Sequence, residues 1–217
     1  MKVLELFAGT RSVGKAFEKN HHEVFSIEWD RSHENIDWYQ DINLITADDI
    51  LERFGKPDII WASPDCTTYS IAAISHHRKK EKSGNLLATS DYAKKCDRTN
   101  RHVLNLIKDL NPKYFFIENP RGGMRKMDFM QGIPRYTVTY CQYGDDRMKP
   151  TDIWTNHPAP NFKAMCKNGA TCHVSAPRGS RTGTQGIKNK IDRSRIPNEL
   201  CRHIVRIGEV ENEWTKF

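Results

Sequence analysis

The chain has 217 residues, 37% of them hydrophobic, and a formal net charge of +7, which fits one α/β domain with a small appendage. No apolar run reaches the roughly 18 residues of a membrane-spanning helix, so we expect no membrane partner. The N-terminal residues also lack the apolar region and cleavage site of a signal peptide. We therefore expect a cytoplasmic protein whose six cysteines are reduced thiols rather than a disulfide scaffold.

The charge is unevenly distributed along the chain. Residues 1–60 hold 7 basic and 12 acidic residues, a net charge of −5, whereas residues 61–217 hold 27 and 15, a net charge of +12. A basic segment of this size favours a polyanionic partner, most often a nucleic acid. A solvated basic surface is the alternative. The acidic first segment is better suited to a small molecule than to a phosphate backbone.

Short apolar segments alternate with helical ones. The predicted strands are, in chain order, 2–7, 23–28, 58–62, 114–117, 136–140 and 151–154. The predicted helices begin at 15–19 and continue with 48–54, 101–110 and 196–208. Nearly uncharged strands that alternate with helices are typical of a doubly wound, mostly parallel sheet. We therefore predict an α/β fold of this kind.

Three segments are expected along the chain. Residues 1–155 form the α/β domain, in which the histidine- and lysine-rich residues 75–82 are predicted to form a mobile loop. Residues 156–192 are rich in Pro, Gly, Lys and Arg and show little periodicity, which predicts a loop-rich insertion. Residues 193–217 contain a closing helix that packs back on the first segment.

Small residues follow the first predicted strand, in the turn that begins with Phe7, Ala8, Gly9 and Thr10. Such a turn lets the backbone approach a ligand, and the helix behind it presents free N–H groups. Glu28 ends the second strand, where a carboxylate accepts hydrogen bonds from ribose hydroxyls in nucleotide-binding α/β folds. The turn is alternatively a plain tight connection, so these residues alone leave a nucleotide site open.

Two reactive side chains follow later strands. Cys66 comes just after the strand at 58–62 and is a candidate nucleophile, with a buried structural cysteine as the alternative. Glu118 follows the strand at 114–117 at the same edge of the sheet. A partly desolvated carboxyl group there can donate a proton to a ring nitrogen. Nucleotide turn, nucleophile and acid in this order predict one active site.

The order of these motifs resembles one known family. The motifs are Phe7-Ala-Gly9, Pro64-Asp-Cys66 followed by Ser70, Glu118-Asn-Pro120, and Gln142-Tyr-Gly-Asp-Asp-Arg147-Met-Lys149. They resemble the C5-cytosine-specific DNA methyltransferases, in the compact form common in phages. The resemblance covers residues 1–155, with a weaker likeness at 193–207. It implies the Rossmann-like fold of S-adenosylmethionine-dependent methyltransferases and, for a phage protein, the host cytoplasm.

The resemblance also implies roles for single residues. It implies S-adenosylmethionine as the cofactor, double-stranded DNA as the partner, and no requirement for a metal. Cys66 is implied as the nucleophile toward cytosine C6, Glu118 as the group facing N3, and Arg147 as the basic residue that supports the site. The implied cofactor-binding residues are Phe7, Ala8, Gly9, Thr10, Glu28, Trp29, Asp41, Ile42 and Pro64.

The chain departs from the family pattern at four places, one of which is Pro120, where the family has valine after Glu-Asn. Arg11 stands in the small-residue turn and changes how that turn packs. Asp65 precedes the nucleophile and disfavours its thiolate if the carboxylate is ionised and close. The segment between Arg147 and the last helix is much shorter than the family's target-recognition domain. A separate protein that supplies sequence specificity is therefore one expectation.

The favoured function is methyl transfer to C5 of cytosine in DNA through a covalent cysteine adduct, as in restriction-modification or genome regulation. A tRNA cytosine-C5 methyltransferase would use the same residues. A further alternative is a DNA-binding protein that has lost catalytic activity, which would explain why Arg11 and Asp65 depart from the family pattern.

The insertion contains a group of metal-binding residue types. Cys166, Cys172 and His173 are closely spaced and can bind zinc if His157 or Cys141 supplies a fourth ligand. Because the spacing is not that of a Cys-x-x-Cys pair, we favour ordinary loop thiols and no metal.

The insertion also contains predicted contacts to nucleic acid. Arg178, Arg181 and Gln185 lie among Gly, Ser and Thr, a composition that suits contacts to phosphates and base edges. A disordered basic loop is the alternative. Residues 121–206 hold 16 basic and 6 acidic residues, which favours the nucleic-acid interpretation.

Overall fold

The computed structural model describes residues 1–82, 84–175 and 189–210. Its strands are β1 (Lys2–Leu6), β2 (Glu23–Glu28), β3 (Trp38–Tyr39), β4 (Ile59–Ala62), β5 (Arg78–Lys80), β6 (Leu86–Ala88), β7 (Tyr114–Pro120), β8 (Arg135–Thr139) and β9 (Pro150–Thr155). Its helices are α1 (Ser12–Lys19), α2 (Ala47–Arg53), α3 (Ile74–His77), α4 (Asp91–Leu110), α5 (Lys190–Ser194) and α6 (Asn198–Glu209). Within these ranges, no helix is long and apolar enough to cross a membrane.

Seven strands form one sheet in the order β3-β2-β1-β4-β7-β9-β8. The first five of these strands are parallel, and β9 runs antiparallel to both of its neighbours. The predicted α/β, doubly wound, mostly parallel sheet is therefore confirmed. The carboxyl ends of β1, β2, β4 and β7 meet at one edge, which is where ligands bind in open sheets of this type.

Helices cover both faces of the sheet because successive strand residues point to opposite faces. In β1, Val3 contributes to the apolar cluster that also contains residues of α1 and α6, whereas Leu4 contributes to the cluster with residues of α2 and α4. In β4, Ile59 and Ile60 alternate in the same way. All four side chains are fully buried, which stabilises the fold by about 1.5–3 kcal/mol each.

Helix α4 is longer than the predicted helix at 101–110. It begins at Asp91 because the Ser90 side chain accepts a hydrogen bond from Ala93 N, an N-cap. The polar first half of α4 still buries Ala93 and Cys96 at helical spacing. This narrow apolar stripe among charged residues explains why the sequence pattern shows only the second half.

The prediction of a mobile loop at 75–82 is wrong. These residues form most of α3 and strand β5, which pairs antiparallel with β6. Arg78 is only 4% exposed, and its guanidinium is hydrogen-bonded inside the molecule. The sequence shows a basic, polar stretch there, and only the structure shows that the Asp97 carboxylate pairs with its arginine.

Candidate active site

The turn after β1 has an unusual backbone. Phe7, Gly9 and Arg11 have φ values of 55°, 47° and 54°, the left-handed region. This conformation costs a residue other than glycine roughly 1–2 kcal/mol, so the surrounding contacts must hold it. One of these contacts is the hydrogen bond that Gly9 N donates to Glu28 Oε2, 3.0 Å long. The turn and the end of β2 therefore form one unit.

Glu28 is nearly buried and accepts three backbone hydrogen bonds. They come from Gly9 N at 3.0 Å, Trp29 N at 2.9 Å and Asp30 N at 3.1 Å. A carboxylate has about four lone-pair positions, so one acceptor position remains for a ligand hydroxyl. The neighbouring Trp29 is 67% exposed, an apolar surface beside that position.

The side chain of Glu5, in β1, contacts the first turn of α1. Its Oε1 accepts a hydrogen bond of 3.0 Å from Gly14 N, so this N–H is not available to a ligand, contrary to the prediction of free N–H groups. A Cβ at Gly14 would lie 2.3 Å from Glu5 Oε2, so only glycine fits. Burial raises the pKa of Glu5 to about 7.

Arg11 does not extend into open space from the turn. Its guanidinium is largely buried, pairs with Glu18 on α1 and lies 4.0 Å from Asp37. Arg11 stands where the family has a glycine-rich turn, and the carboxylates of Glu18 and Asp37 compensate its positive charge.

Cys66 lies in a turn that neighbouring elements hold in place. It is partly buried and precedes the short helical turn Thr67–Tyr69. The Asn119 side chain at the end of β7 donates a hydrogen bond of 2.9 Å to Pro64 O. Asp65 points outward, where it accepts hydrogen bonds from Thr67 N and from the Tyr92 hydroxyl on α4.

Arg78 fixes the other side of this turn. Its Nε donates to Thr68 O at 2.9 Å, and Nη2 donates to Thr68 Oγ1 at 2.9 Å. The same guanidinium makes two hydrogen bonds, 2.7 and 3.0 Å long, to the Asp97 carboxylate on α4. The turn that contains Cys66 is thus attached to β5, α4 and β7 at once.

Glu118 is buried at the carboxyl end of β7. Its Oε1 accepts a hydrogen bond of 3.0 Å from the Tyr140 hydroxyl. Lys149 Nζ lies 4.5 Å from the centre of the Tyr140 ring and donates to Arg193 O at 2.9 Å. The Lys149 charge interacts favourably with both Cys66 and Glu118.

The surroundings of Cys66 favour its protonated thiol. Burial, and next the negative charges of Glu118 and Asp65, raise the pKa of Cys66 to about 11, against the lowering effect of Lys149. Burial in turn lowers the pKa of Lys149 itself. A thiol, a carboxyl group and an ammonium therefore share one partly desolvated site.

Arg147 lies beside this site and is fully occupied by protein groups. It forms a two-point ion pair with Asp145, and that hydrogen bonding raises its pKa. Nη1 donates to Asp192 O at 3.1 Å and to Arg193 O at 3.3 Å. Arg147 therefore connects the turn after β8 to α5.

The family model of the C-5 cytosine-specific DNA methylases matches residues 1–131. The chain belongs to this family. The match spans β1 to β7 and includes the turn at Gly9, Cys66 and Glu118. The resemblance inferred from the motifs is thereby confirmed.

This methylase has a relative of similar extent in a virus. It is 28% identical over 214 residues to a protein of Frog virus 3 (isolate Goorha) named "Probable DNA (cytosine-5)-methyltransferase". The alignment covers 91% of this chain and 95% of the viral protein. Because the alignment covers nearly the whole of both proteins, the viral relative has a similar overall length.

Two solved structures share the fold of this methylase. One, from E. coli, is described as a DNA modification methyltransferase encoded within a prophage, with 15% identity and a TM-score of 0.53 over 71% of this chain and 46% of that one. The other is the Entamoeba histolytica methyltransferase EhMeth, with 16% identity and a TM-score of 0.52 over 77% and 57%. The chain thus spans about half the length of the solved structures it matches.

The implied cofactor residues of the methylase border two concave regions. Gly9 and Thr10 line a groove of about 1050 Å³ that reaches Asp145 on its far side. Asp41 lines a smaller cavity of about 400 Å³ and caps a short helical turn through hydrogen bonds from Asn43. These hydrogen bonds outweigh burial and lower the pKa of Asp41.

The remaining implied cofactor residues have structural contacts. Ile42 is 5% exposed and packs in the core with Leu6 and Ile45. Phe7 packs against the same cluster, Ala8 is nearly buried, and Pro64 is buried with its carbonyl bonded to Asn119. The predicted nucleic-acid contacts Arg178, Arg181 and Gln185 lie outside the described residues.

Three residues of the site have no role that the sequence predicts. Lys149 is two positions after Arg147 and is the cation that interacts with Cys66 and Glu118. Asn119 and Tyr140 contact the site through side-chain hydrogen bonds, from Asn119 to Pro64 O and from the Tyr140 hydroxyl to Glu118. Asn119 lies in the motif Glu118-Asn-Pro120, and Lys149 ends the motif that contains Arg147. Their positions inside these motifs are the sequence signal that could have identified them. No local pattern reveals the contact of Tyr140 with Glu118.

Proposed function

We propose that the chain transfers a methyl group from S-adenosylmethionine to C5 of cytosine in DNA, with Cys66 as the nucleophile. The observation that carries this proposal is the convergence of Cys66, Glu118 and Lys149 at the carboxyl ends of the adjacent strands β4 and β7. A thiol that interacts with both a carboxyl group and an ammonium has the groups needed to add to a pyrimidine ring.

The Cys66 thiol loses its proton and its sulfur forms a bond to C6 of the ring. The electron pair of the C5–C6 double bond then shifts, so that C5 becomes nucleophilic and takes the methyl group. The bond from the methyl group to its sulfonium donor would break, and its electron pair would remain on the donor sulfur as a neutral thioether. Loss of the C5 proton to a base expels the thiolate and restores the double bond. The cytosine must leave the base stack to reach Cys66, at a cost of a few kcal/mol.

Glu118 supports the addition by a hydrogen bond or proton at N3. The Tyr140 hydroxyl donates to Oε1 and orients the carboxyl group. A proton released by the Cys66 thiol balances the proton taken up at N3, so the pair can react without net charge change in a desolvated site. Asn119 holds the Pro64 carbonyl and is a positioning residue.

Lys149 compensates the negative charge that develops on sulfur and ring. Its cation lowers the pKa of Cys66, whereas Glu118 and Asp65 raise it. We assign this electrostatic role to Lys149 and a positioning role to Arg147, whose donors are bound to Asp145 and to carbonyls of residues 192–195.

The residues around Gly9 fit the proposed cofactor. The nearly buried Glu28 carboxylate retains one acceptor position, which suits a ribose hydroxyl, and exposed Trp29 offers an apolar surface to a flat base. The proposed cofactor-binding residues are Phe7, Ala8, Gly9, Thr10, Glu28, Trp29, Asp41, Ile42 and Pro64. When bound, S-adenosylmethionine supplies an electrophilic methyl group on a sulfonium.

A Glu28→Gln substitution should weaken S-adenosylmethionine binding by about ten- to a hundredfold. A hydrogen bond to a charged group contributes roughly 1.5–3 kcal/mol, and the amide also disturbs the three N–H donors. Calorimetric titration measures the affinity. The matched control is Glu52→Gln on the exposed face of α2, which should leave affinity unchanged. Equal affinity of the Glu28→Gln and wild-type proteins would reject the ribose role.

We assign DNA contact to the basic second part of the chain. Residues 156–192 form the proposed target-recognition segment, in which Arg178, Arg181 and Gln185 contact phosphates and base edges. A protein partner that supplies sequence specificity is compatible with so short a segment.

The function can be tested without knowing the target sequence. The chain and its Cys66→Ala variant are expressed in cells that lack cytosine methylation, and total DNA and tRNA are digested to nucleosides for mass spectrometry. We expect 5-methyldeoxycytidine with the wild-type chain and none with Cys66→Ala. A signal in tRNA alone would show the RNA alternative, and product from Cys66→Ala would reject the nucleophile assignment.

A further inference from the structure

Four metal-binding side chains converge outside the proposed active site. Cys141 lies in the turn after β8, whereas Cys166, Cys172 and His173 lie in the insertion. Their three sulfurs and the His173 ring nitrogen all lie within 4.8 Å of one another. The structure thus selects Cys141 over His157 as the fourth member, because His157 is bonded to Ile207 O elsewhere.

The distances between these atoms match a tetrahedral metal site. Cys172 Sγ lies 3.6 Å from Cys141 Sγ and 3.6 Å from His173 Nδ1, and Cys166 Sγ lies 3.7 Å from the same nitrogen. Tetrahedral zinc with its usual bond lengths sets sulfur–sulfur distances of about 3.8 Å and sulfur–nitrogen distances of about 3.6 Å. The Cys141–Cys166 distance of 3.1 Å needs only a small outward adjustment. None of the sulfur pairs is at disulfide distance, about 2.05 Å.

The insertion also needs a cross-link of this kind. Residues 156–175 of the insertion contain no regular helix or strand, and Met165 and Val174 are 38% and 64% exposed. A hydrogen bond already attaches it to the last residue of β8, since Cys166 N donates to Thr139 Oγ1 at 3.0 Å. A segment without its own apolar core is commonly stabilised by a structural metal.

We propose that Cys141, Cys166, Cys172 and His173 bind one structural zinc ion. Three thiolates and one imidazole complete the tetrahedron, so no position remains for a substrate. Soft sulfur ligands with one nitrogen select zinc over magnesium or calcium. The ion joins the insertion to residue 141, the neighbour of Tyr140, which hydrogen-bonds to Glu118. The preference for ordinary thiols drawn from the sequence spacing is thereby replaced.

The test is the metal content of untagged protein purified under reducing conditions and dialysed against metal-free buffer. Elemental mass spectrometry should find about one zinc per chain. Cys172→Ser, at an exposed position, and Cys141→Ser should each lose most of the zinc. Cys96→Ser, a matched change in α4 outside the cluster, should keep it.

A second measurement does not depend on how the variants fold. Adding Co²⁺ to the metal-free wild-type chain should produce the visible bands and thiolate charge-transfer absorption of tetrahedral cobalt, and zinc should displace them. Zinc-free protein without these bands would overturn the proposal. Equal zinc content in wild type and both cluster variants, or a disulfide between two of the three cysteines in the non-reduced mass spectrum, would also overturn it.

Discussion

At the scale of single residues, the charges around Cys66 explain how a reactive thiol can stay inert without substrate. Burial, Glu118 and Asp65 hold its pKa near 11, so only a small fraction is thiolate at neutral pH. A cytosine ring that takes up a proton at N3 brings positive charge close to the sulfur, and this charge offsets part of the opposition to the thiolate. Reactivity is thus coupled to binding of the base.

This balance predicts the alkylation behaviour of Cys66 in the free protein. Only the thiolate reacts, so the rate with iodoacetamide should rise from pH 7 to pH 10, below the pKa of about 11. Asp65→Asn removes a negative charge, lowers the pKa and should speed alkylation at pH 8 by several-fold. Lys149→Met should slow it. Peptide mapping by mass spectrometry separates Cys66 from the other cysteines.

The control for the alkylation series is Asp91→Asn, whose side chain is 98% exposed in the first turn of α4. It should leave the Cys66 rate unchanged. A rate that does not depend on pH, or an Asp65→Asn variant slower than wild type, would contradict the electrostatic account.

At the scale of elements, side chains from three elements hold the turn that contains the proposed nucleophile Cys66 in place. Asn119 of β7 holds Pro64, Arg78 of β5 holds Thr68, and Asp97 of α4 pairs with that arginine. A turn fixed on several sides keeps the thiol in place without contributing atoms to the reaction.

An Arg78→Met substitution should lower the free energy of unfolding by about 2–3 kcal/mol. It leaves Asp97, 18% exposed, without its cation and two Thr68 acceptors without donors. Urea denaturation measures the change. The same substitution at Arg101, in an ion pair more than half exposed, should cost less than about 1 kcal/mol. An equal decrease in the free energy of unfolding for both variants would contradict a stabilising role for the hydrogen bonds of Arg78.

Features that depend on neighbouring residues can be predicted from this sequence, whereas contacts between residues distant in the chain cannot. Strand β2 was predicted with its observed bounds, and Cys66 and Glu118 were placed at the correct edge, because apolar runs and chain order carry that information. The hairpin around Arg78 was missed because its partner Asp97 is distant in sequence. Likewise, the sequence leaves Cys141 and His157 as equal candidates for a fourth ligand, and only the fold shows that Cys141 lies beside Cys166 and Cys172.

At the scale of the whole molecule, the charge is divided according to the proposed tasks. The acidic first 60 residues contribute β1, β2 and the turn proposed to bind the cofactor, whereas the basic remainder contributes the insertion. Such separation lets one chain bind a cationic cofactor and a polyanion at the same time.

The DNA affinity should therefore depend steeply on salt. An Arg178→Ala, Arg181→Ala double variant should reduce the slope of log K against log salt by about 1.8, since each lost phosphate contact removes about 0.9. Fluorescence anisotropy at several salt concentrations measures the slope. The Arg53→Ala, Lys56→Ala control removes two exposed charges from the acidic segment and should leave it unchanged. An unaltered slope in the first variant would place the DNA contacts elsewhere.

The central claim, covalent attack by Cys66 on cytosine, is tested most directly by trapping the adduct. Long DNA in which 5-fluorocytosine replaces cytosine is incubated with the protein and S-adenosylmethionine, because fluorine cannot leave C5 as a proton does. We predict a complex that survives denaturation, requires the cofactor, maps to Cys66 and is absent with Cys66→Ala. An adduct on another residue, or no adduct from protein that methylates ordinary DNA, would contradict the account.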